Sequence, residues 1–184
     1  MRRQHGGWWL ASGSLALGAD LASTAWALAH LSQHRSVVIF GGLVRLHLVT
    51  NTGAAFGLGA GHEPVVALLS AGALLLLGVL AARAREPMVA VGLGMAVGGG
   101  LGNLTERVVG PAGLLHGPVV DWIHVSFYGP TFNLADVWLR AGLVAAVAGA
   151  LLGSRRTLAL GSPARLGGTG SGGAEDGATG PERS

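Results

Sequence analysis

The sequence predicts an all-α membrane protein of four transmembrane helices with a small β element on one face. Three observations carry that reading. Half of the 184 residues are hydrophobic, 11% are charged and the mean hydropathy is +0.53, which is too apolar for an ordinary soluble domain. Four apolar runs, about residues 10–31, 65–82, 88–104 and 135–152, are each close to the ~20 residues that cross a hydrocarbon core. Between the first and the second, the pattern changes to alternation, the period of a strand.

Composition also excludes. There is no cysteine, so disulfides, iron–sulfur clusters and thiol nucleophiles are absent. All twelve basic residues are arginine, and with 33 glycines the net charge of +3 reads as compositional bias, not as a surface for nucleic acid. No nucleic-acid partner is expected.

The first run follows Met1-Arg2-Arg3 and a Trp8-Trp9 pair suited to a membrane interface. It reads as a retained helix and not a secretory signal, because it is long, carries Asp20 near its middle and leads to no clear cleavage site. An acid at that depth needs a partner. Ser23, Thr24 or another helix are the structural candidates for Asp20.

Val37-Val38-Ile39-Phe40, Gly41-Gly42 and Leu43 to Val49 predict two short strands joined by a glycine turn. Asn51-Thr52-Gly53-Ala54-Ala55-Phe56-Gly57 follows, small residues around one amide that both donates and accepts. Pro64 suits the first turn of the second span, and Arg83 and Arg85 close it. In the third span Gly94, Gly98 and Gly102 recur every four residues, a face on which another helix packs closely. Asn103 and Arg107 share the adjoining face, with Glu106 beside them. In isolation Arg107 reads as snorkelling to lipid phosphate; anchoring a carboxylate or a carbonyl at the membrane edge is the alternative.

From Val108 to Thr131 the glycine–proline steps at 110–111, 117–118 and 129–130 forbid a continuous helix. Irregular backbone at membrane depth belongs over a buried or wet site. Asn133 then caps the fourth span, and Asp136 three residues on has the capping-box spacing, with Arg140 at i+4.

Two acids remain conspicuous. Asp121 lies between Val119-Val120 and Trp122-Ile123, and Asp136 opens an apolar helix. Carboxylates near low dielectric are costly unless paired, hydrogen-bonded or protonated. Brought together they would share a proton, one serving as base and the other as acid, which is what hydrolysis of an amide by water requires. The arginines at 2 and 3, 83 and 85, and 155 and 156 fall on one side of a four-span arrangement, so both termini are expected in the cytoplasm. Asn51, Asn103, Arg107, Asp121, Asn133 and Asp136 then share the outer face. Residues 153–184, rich in glycine and serine, are expected to be a disordered cytoplasmic tail after a membrane domain over 1–152.

The ordered motifs Asn51-Thr-Gly-Ala-Ala-Phe, Gly102-Asn-Leu-Thr-Glu-Arg, Val119-Val-Asp-Trp-Ile and Phe132-Asn-Leu-Ala-Asp resemble lipoprotein signal peptidase, the bacterial signal peptidase II family, over about residues 8–152. The resemblance implies a multi-pass aspartyl endopeptidase of the bacterial inner membrane, sensitive to globomycin-type inhibitors. It would remove the signal peptide of a prolipoprotein just before its diacylglyceryl-cysteine. Asp121 and Asp136 map onto the catalytic dyad; Asn51, Asn103, Arg107 and Asn133 map onto polar residues that line the substrate site. The chain departs from the pattern at Thr24, where the family usually has lysine, at Glu106 in place of aspartate, and in a longer interval between Arg107 and Asp121.

Besides the substrate, membrane lipids are the expected partners of a monomer, whose active site faces outward. No metal or other cofactor is expected: His30 and His34 stand at i, i+4 without HExxH or a carboxylate cluster. No serine sits in a nucleophile elbow. The rival from another class is a four-span conduction or scaffold protein whose acids serve proton movement or helix packing, and a further alternative is a family member without activity.

Overall fold

The computed structural model describes residues 6–53, 58–110 and 112–160. The element order is α1 (Gly6–His30), β1 (Val37–Ile39), a single 3-10 turn at Phe40–Gly42, β2 (Val44–Asn51), α2 (Glu63–Arg83), α3 (Pro87–Val109), β3 (Val119–Val125), β4 (Thr131–Phe132) and α4 (Leu134–Leu160). Arg2, Arg3, the stretch 54–57 and the tail from 161 onward lie outside the described residues.

Helix α3 is the hub, packing against α1, α2 and α4. Its glycines explain how one helix accepts three neighbours. A Cβ on Gly94 would strike Trp9 and Ser12, and one on Gly98 would strike Gly13 and Ala16, all on α1. On another side, Gly92 and Gly99 meet Gly142, Ala146 and Ala135 of α4, while Gly100 meets Leu74 of α2. Without side chains in the way, the backbones approach closely, and dispersion and close packing hold the helices where lipid removes the hydrophobic drive.

The outward faces stay apolar. Leu69 and Leu75 of α2 and Val144 of α4 are each 70–71% exposed, as suits a lipid-facing surface. Among the described residues three helices, α2, α3 and α4, are long and apolar enough to cross a membrane. Helix α1 has the length, 25 residues, but Asp20, its tryptophans and its hydroxyl residues make it less apolar, so the expected fourth span is not matched on the same terms.

The sheet is antiparallel in the order β1-β2-β3-β4. The glycine turn falls where expected, with Gly41 and Gly42 both at positive φ. More of the protein is strand than alternation near residue 40 announces: 119–125 and Thr131, expected as irregular, and Phe132, expected to lead into the fourth span, form β3, which pairs with β2, and β4, which pairs with β3. Register places Val49 opposite Asp121 and Asn51 opposite Val119, after an irregularity between Leu46 and Val49. Such a bulge re-aims side chains at a strand end. Helix α3 runs to Val109, carrying Glu106 and Arg107, and α4 continues to Leu160, past the expected end at 152.

Contact at the hub sets the first prediction. Gly98→Ala pushes a methyl group into the Gly13 carbonyl, whereas a Cβ on Gly72 of α2 meets nothing within 4 Å. Overpacking costs ~1–3 kcal/mol, so thermal melting in detergent should show Gly98→Ala lowered by several degrees and Gly72→Ala unchanged or raised. Equal melting temperatures would contradict the close α1–α3 packing.

Candidate active site

Four elements, β2, α3, β3 and α4, bring the polar residues to one place. Strand β3 carries Asp121, which is 3% exposed among Val119, Val120 and Trp122. Its Oδ2 accepts a hydrogen bond from Asn51 Nδ2 at 3.1 Å. Asn51 ends β2, and its own Oδ1 accepts the Gly53 amide at 3.0 Å, which fixes the side chain.

The second carboxylate stands in the first turn of α4. Asp136 Oδ1 accepts from Asn103 Nδ2 at 3.2 Å, and Oδ2 lies 3.5 Å from Arg140 Nη2. Asn133 ties the two halves together. It is fully buried; its Nδ2 donates to Asn103 Oδ1 at 2.7 Å and to the Val120 carbonyl at 3.5 Å, and its Oδ1 accepts the Asp136 amide at 3.0 Å. That last bond is the expected helix cap. The reciprocal half of a capping box does not form, because the Asp136 carboxylate is engaged by Asn103 and Arg140 instead.

Asparagine suits these positions because each amide both donates and accepts, linking carboxylates and backbone without adding charge to a desolvated site. Arg107, 4% exposed, turns toward backbone: it donates to the Thr52 carbonyl at 3.4 Å and to the Gly53 carbonyl. It thereby fixes the chain just after Asn51. Its guanidinium also sends favourable charge to Asp121.

Burial pushes the Asp121 carboxyl up to about 7, and the negative charge of Asp136 adds to the rise; the Asn51 hydrogen bond and the guanidinium groups of Arg107 and Arg140 oppose it. The two aspartates thus feel each other.

Two clefts adjoin the pair. One, of about 310 Å³, is lined by Asn51, Gly53, Asp121, Pro130 and Thr131. The other, of about 380 Å³, is apolar, lined by Val125, Phe127, Tyr128, Phe132 and Val137 with Arg140 at its edge.

All six residues singled out in the sequence therefore meet in one network. Asp20 and Glu106 belong beside them, and the sequence did not assign them a part: Asp20 Oδ1 accepts the Ala135 amide at 2.7 Å and Glu106 Oε2 accepts the Val120 amide at 2.6 Å. Of the partners considered for Asp20, another helix is the one found, since Ser23 bonds only the Asp20 backbone carbonyl. Their unusual depth was the available signal; a backbone amide as partner leaves no mark in sequence.

The raised Asp121 carboxyl has a consequence for stability. Between its usual value of 3.8 and about 7, the folded chain binds more protons than the unfolded one, so this contribution is full below that window and is lost as pH rises through it. Asp121→Asn cannot ionise. Its melting temperature relative to the parent should rise from pH 5 to pH 8; a constant difference would show that Asp121 titrates normally.

The profile of the Signal peptidase (SPase) II family matches residues 14–152. The lipoprotein signal peptidase of Rhodococcus jostii is 35% identical over 137 residues, covering 74% of this chain and 69% of that one. That of Bifidobacterium adolescentis is 38% identical over 133 residues, covering 72% and 70%. A solved structure described as a bacterial membrane enzyme shares the fold, with a TM-score of 0.70 at 22% identity over 82% of this chain and 91% of that one. With the profile spanning most of the chain and relatives this similar over most of their own length, the chain belongs to the signal peptidase II family.

Proposed function

We propose that this membrane aspartic peptidase removes the signal peptide from prolipoproteins immediately before the diacylglyceryl-cysteine, with Asp121 and Asp136 as its catalytic dyad. The observation that carries the assignment is the convergence of two acids, one buried in β3 and one opening α4, on a single asparagine network.

Asp121 is the member that holds the proton at rest, because burial and the charge of Asp136 both favour its neutral form. Asp136, with Arg140 at 3.5 Å and the positive end of α4 behind it, is the carboxylate that acts as base. It takes a proton from water as the water oxygen adds to the scissile carbonyl. Asp121 donates a hydrogen bond and then its proton to the carbonyl oxygen. Collapse of the tetrahedral intermediate breaks the C–N bond: the proton held by Asp136 goes to the leaving amine, and one hydroxyl of the intermediate returns its proton to Asp121 as the carbonyl reforms. One water is consumed and the pair returns to a single shared proton. The chemistry asks for no metal.

Asn51, Asn103, Arg107 and Asn133 serve the substrate side of the site. Asn51 and the backbone held by Arg107 border the polar cleft that reaches Asp121, which suits an extended peptide. The apolar cleft beside Arg140 suits the acyl chains, whose burial supplies affinity while holding the cleavage point at the surface.

In this reading α1 also crosses the membrane, packed along α3, so that four spans put the termini in the cytoplasm and the sheet and dyad at the outer face of the cytoplasmic membrane. Arg83, Arg85 and Arg155, at the ends away from the sheet, support that orientation. The enzyme acts as a monomer among lipids.

The test is cleavage of a diacylglyceryl-modified prolipoprotein in liposomes by the parent, Asp121→Asn and Asp136→Asn, each checked for folding. The parent should cut before the lipidated cysteine, and each variant should lose at least ~1000-fold in rate, in line with removing a member of a unit that works together. Near-parental cleavage by either folded variant removes that residue from the mechanism.

A further inference from the structure

We propose that Asp20 and Glu106 are positioning residues for the dyad, each holding the backbone amide immediately before one catalytic aspartate, with the Thr24 hydroxyl between them. This rests on the dyad reading given above.

The two contacts are matched. Glu106 on α3 takes the amide of Val120, one residue before Asp121, and Asp20 on α1 takes the amide of Ala135, one residue before Asp136. Both bonds are short, at 2.6 and 2.7 Å, as expected when the acceptor is a carboxylate.

Neither amide has an obvious alternative. Beyond Val120, strand β4 pairs only with Ile123 and His124, so the free edge of β3 at Val120 is served by side chains: Glu106 takes the amide and Asn133 the carbonyl. Ala135 lies in the first turn of α4, where helix geometry leaves amides without internal partners. Asn133 satisfies the Asp136 amide and Asp20 the Ala135 amide.

The far side of each carboxyl points into a closed space. Asp20 Oδ2, Glu106 Oε1 and Thr24 Oγ1 are buried and have no hydrogen-bond partner of good geometry among the described residues. Thr24 is one helical turn from Asp20, and its hydroxyl lies beside Glu106. Gly102, one turn before Glu106, makes the approach possible, since a Cβ there would collide with the Asp20 carboxylate. The group is therefore turned inward, between α1 and α3. Among the described residues, its side-chain hydrogen bonds to the rest of the protein go to the two amides. A peptide plane that tilts when one of these bonds is lost carries the next aspartate with it, and a misplacement of ~1 Å costs on the order of 100-fold in rate.

Steady-state cleavage of a lipidated prolipoprotein by Glu106→Ala, Asp20→Ala, Glu106→Gln, Asp20→Asn and Thr24→Val tests this. The alanine variants should lose ~10–100-fold in kcat with KM within about twofold. Glutamine and asparagine keep a carbonyl that accepts the amide, so they should recover kcat to within about fivefold of the parent. Thr24→Val keeps the shape and removes the hydroxyl, and should lower kcat by ~3–10-fold at unchanged KM; it decides the matter where an alanine variant does not fold. Parental kcat in the folded alanine variants or in Thr24→Val overturns the proposal, as does a loss confined to KM or an amide variant as slow as alanine. Asp121→Asn and Asp136→Asn run alongside: cleavage surviving in either ends the dyad reading and this one together, whereas both dead with Glu106→Ala fully active ends the positioning role alone.

Discussion

Two carboxyl groups held together where water is scarce is the constraint on which this structure turns. Neither Asp121 nor Asp136 is matched one-to-one by a buried cation; Arg140 lies at the exposed edge and Arg107 spends its donors on carbonyls. What offsets desolvation is a set of neutral amides: Asn51 and Asn103 each donate a side-chain N–H to one carboxylate and accept from a neighbour at the other end, while Asn133 donates to Asn103 and accepts the Asp136 backbone amide. For the proposed dyad, an uncharged network would leave the proton free to move between the aspartates, whereas a buried cation would hold both ionised.

That network demands elements from distant parts of the chain in one small volume, and the glycine faces of α3 make this possible. Asn103 and Asn133 touch because α3 and α4 approach through Gly92, Gly99 and Gly142; Asp20 reaches Ala135 because Gly102 leaves it room. The same helix then supplies Glu106 and Arg107 to the ends of β3 and β2. Packing and chemistry are thus set by alternate faces of one helix, small residues toward the neighbours and polar ones at the end nearest the sheet.

Much of this was legible in the sequence. Acids are scarce and apolar flanks mark Asp121 and Asp136; Asn133 announces its cap by spacing, and four ordered motifs bring the remaining asparagines and Arg107 into view. What escaped is non-local. Residues 119–125 read as irregular because prolines and glycines surround them, yet β2 supplies an edge that no local pattern reveals. Arg107 in isolation read first as snorkelling to lipid phosphate, with a carboxylate or a carbonyl as the alternative, and the fold of residues 52–53 selects carbonyls. Asp20 and Glu106 answer to backbone amides, which every residue but proline possesses, so sequence marks the acid but not its partner.

The most direct test of the coupled pair is a carboxyl titration by isotope-edited infrared or carbon NMR spectroscopy of Asp121 in the folded protein, alone and in Asp136→Asn. In the parent Asp121 should titrate near 7 and move downward when the charge of Asp136 is removed. An Asp121 that titrates in the usual carboxylate range, or that does not respond to Asp136→Asn, would contradict the claim that the two acids share one proton.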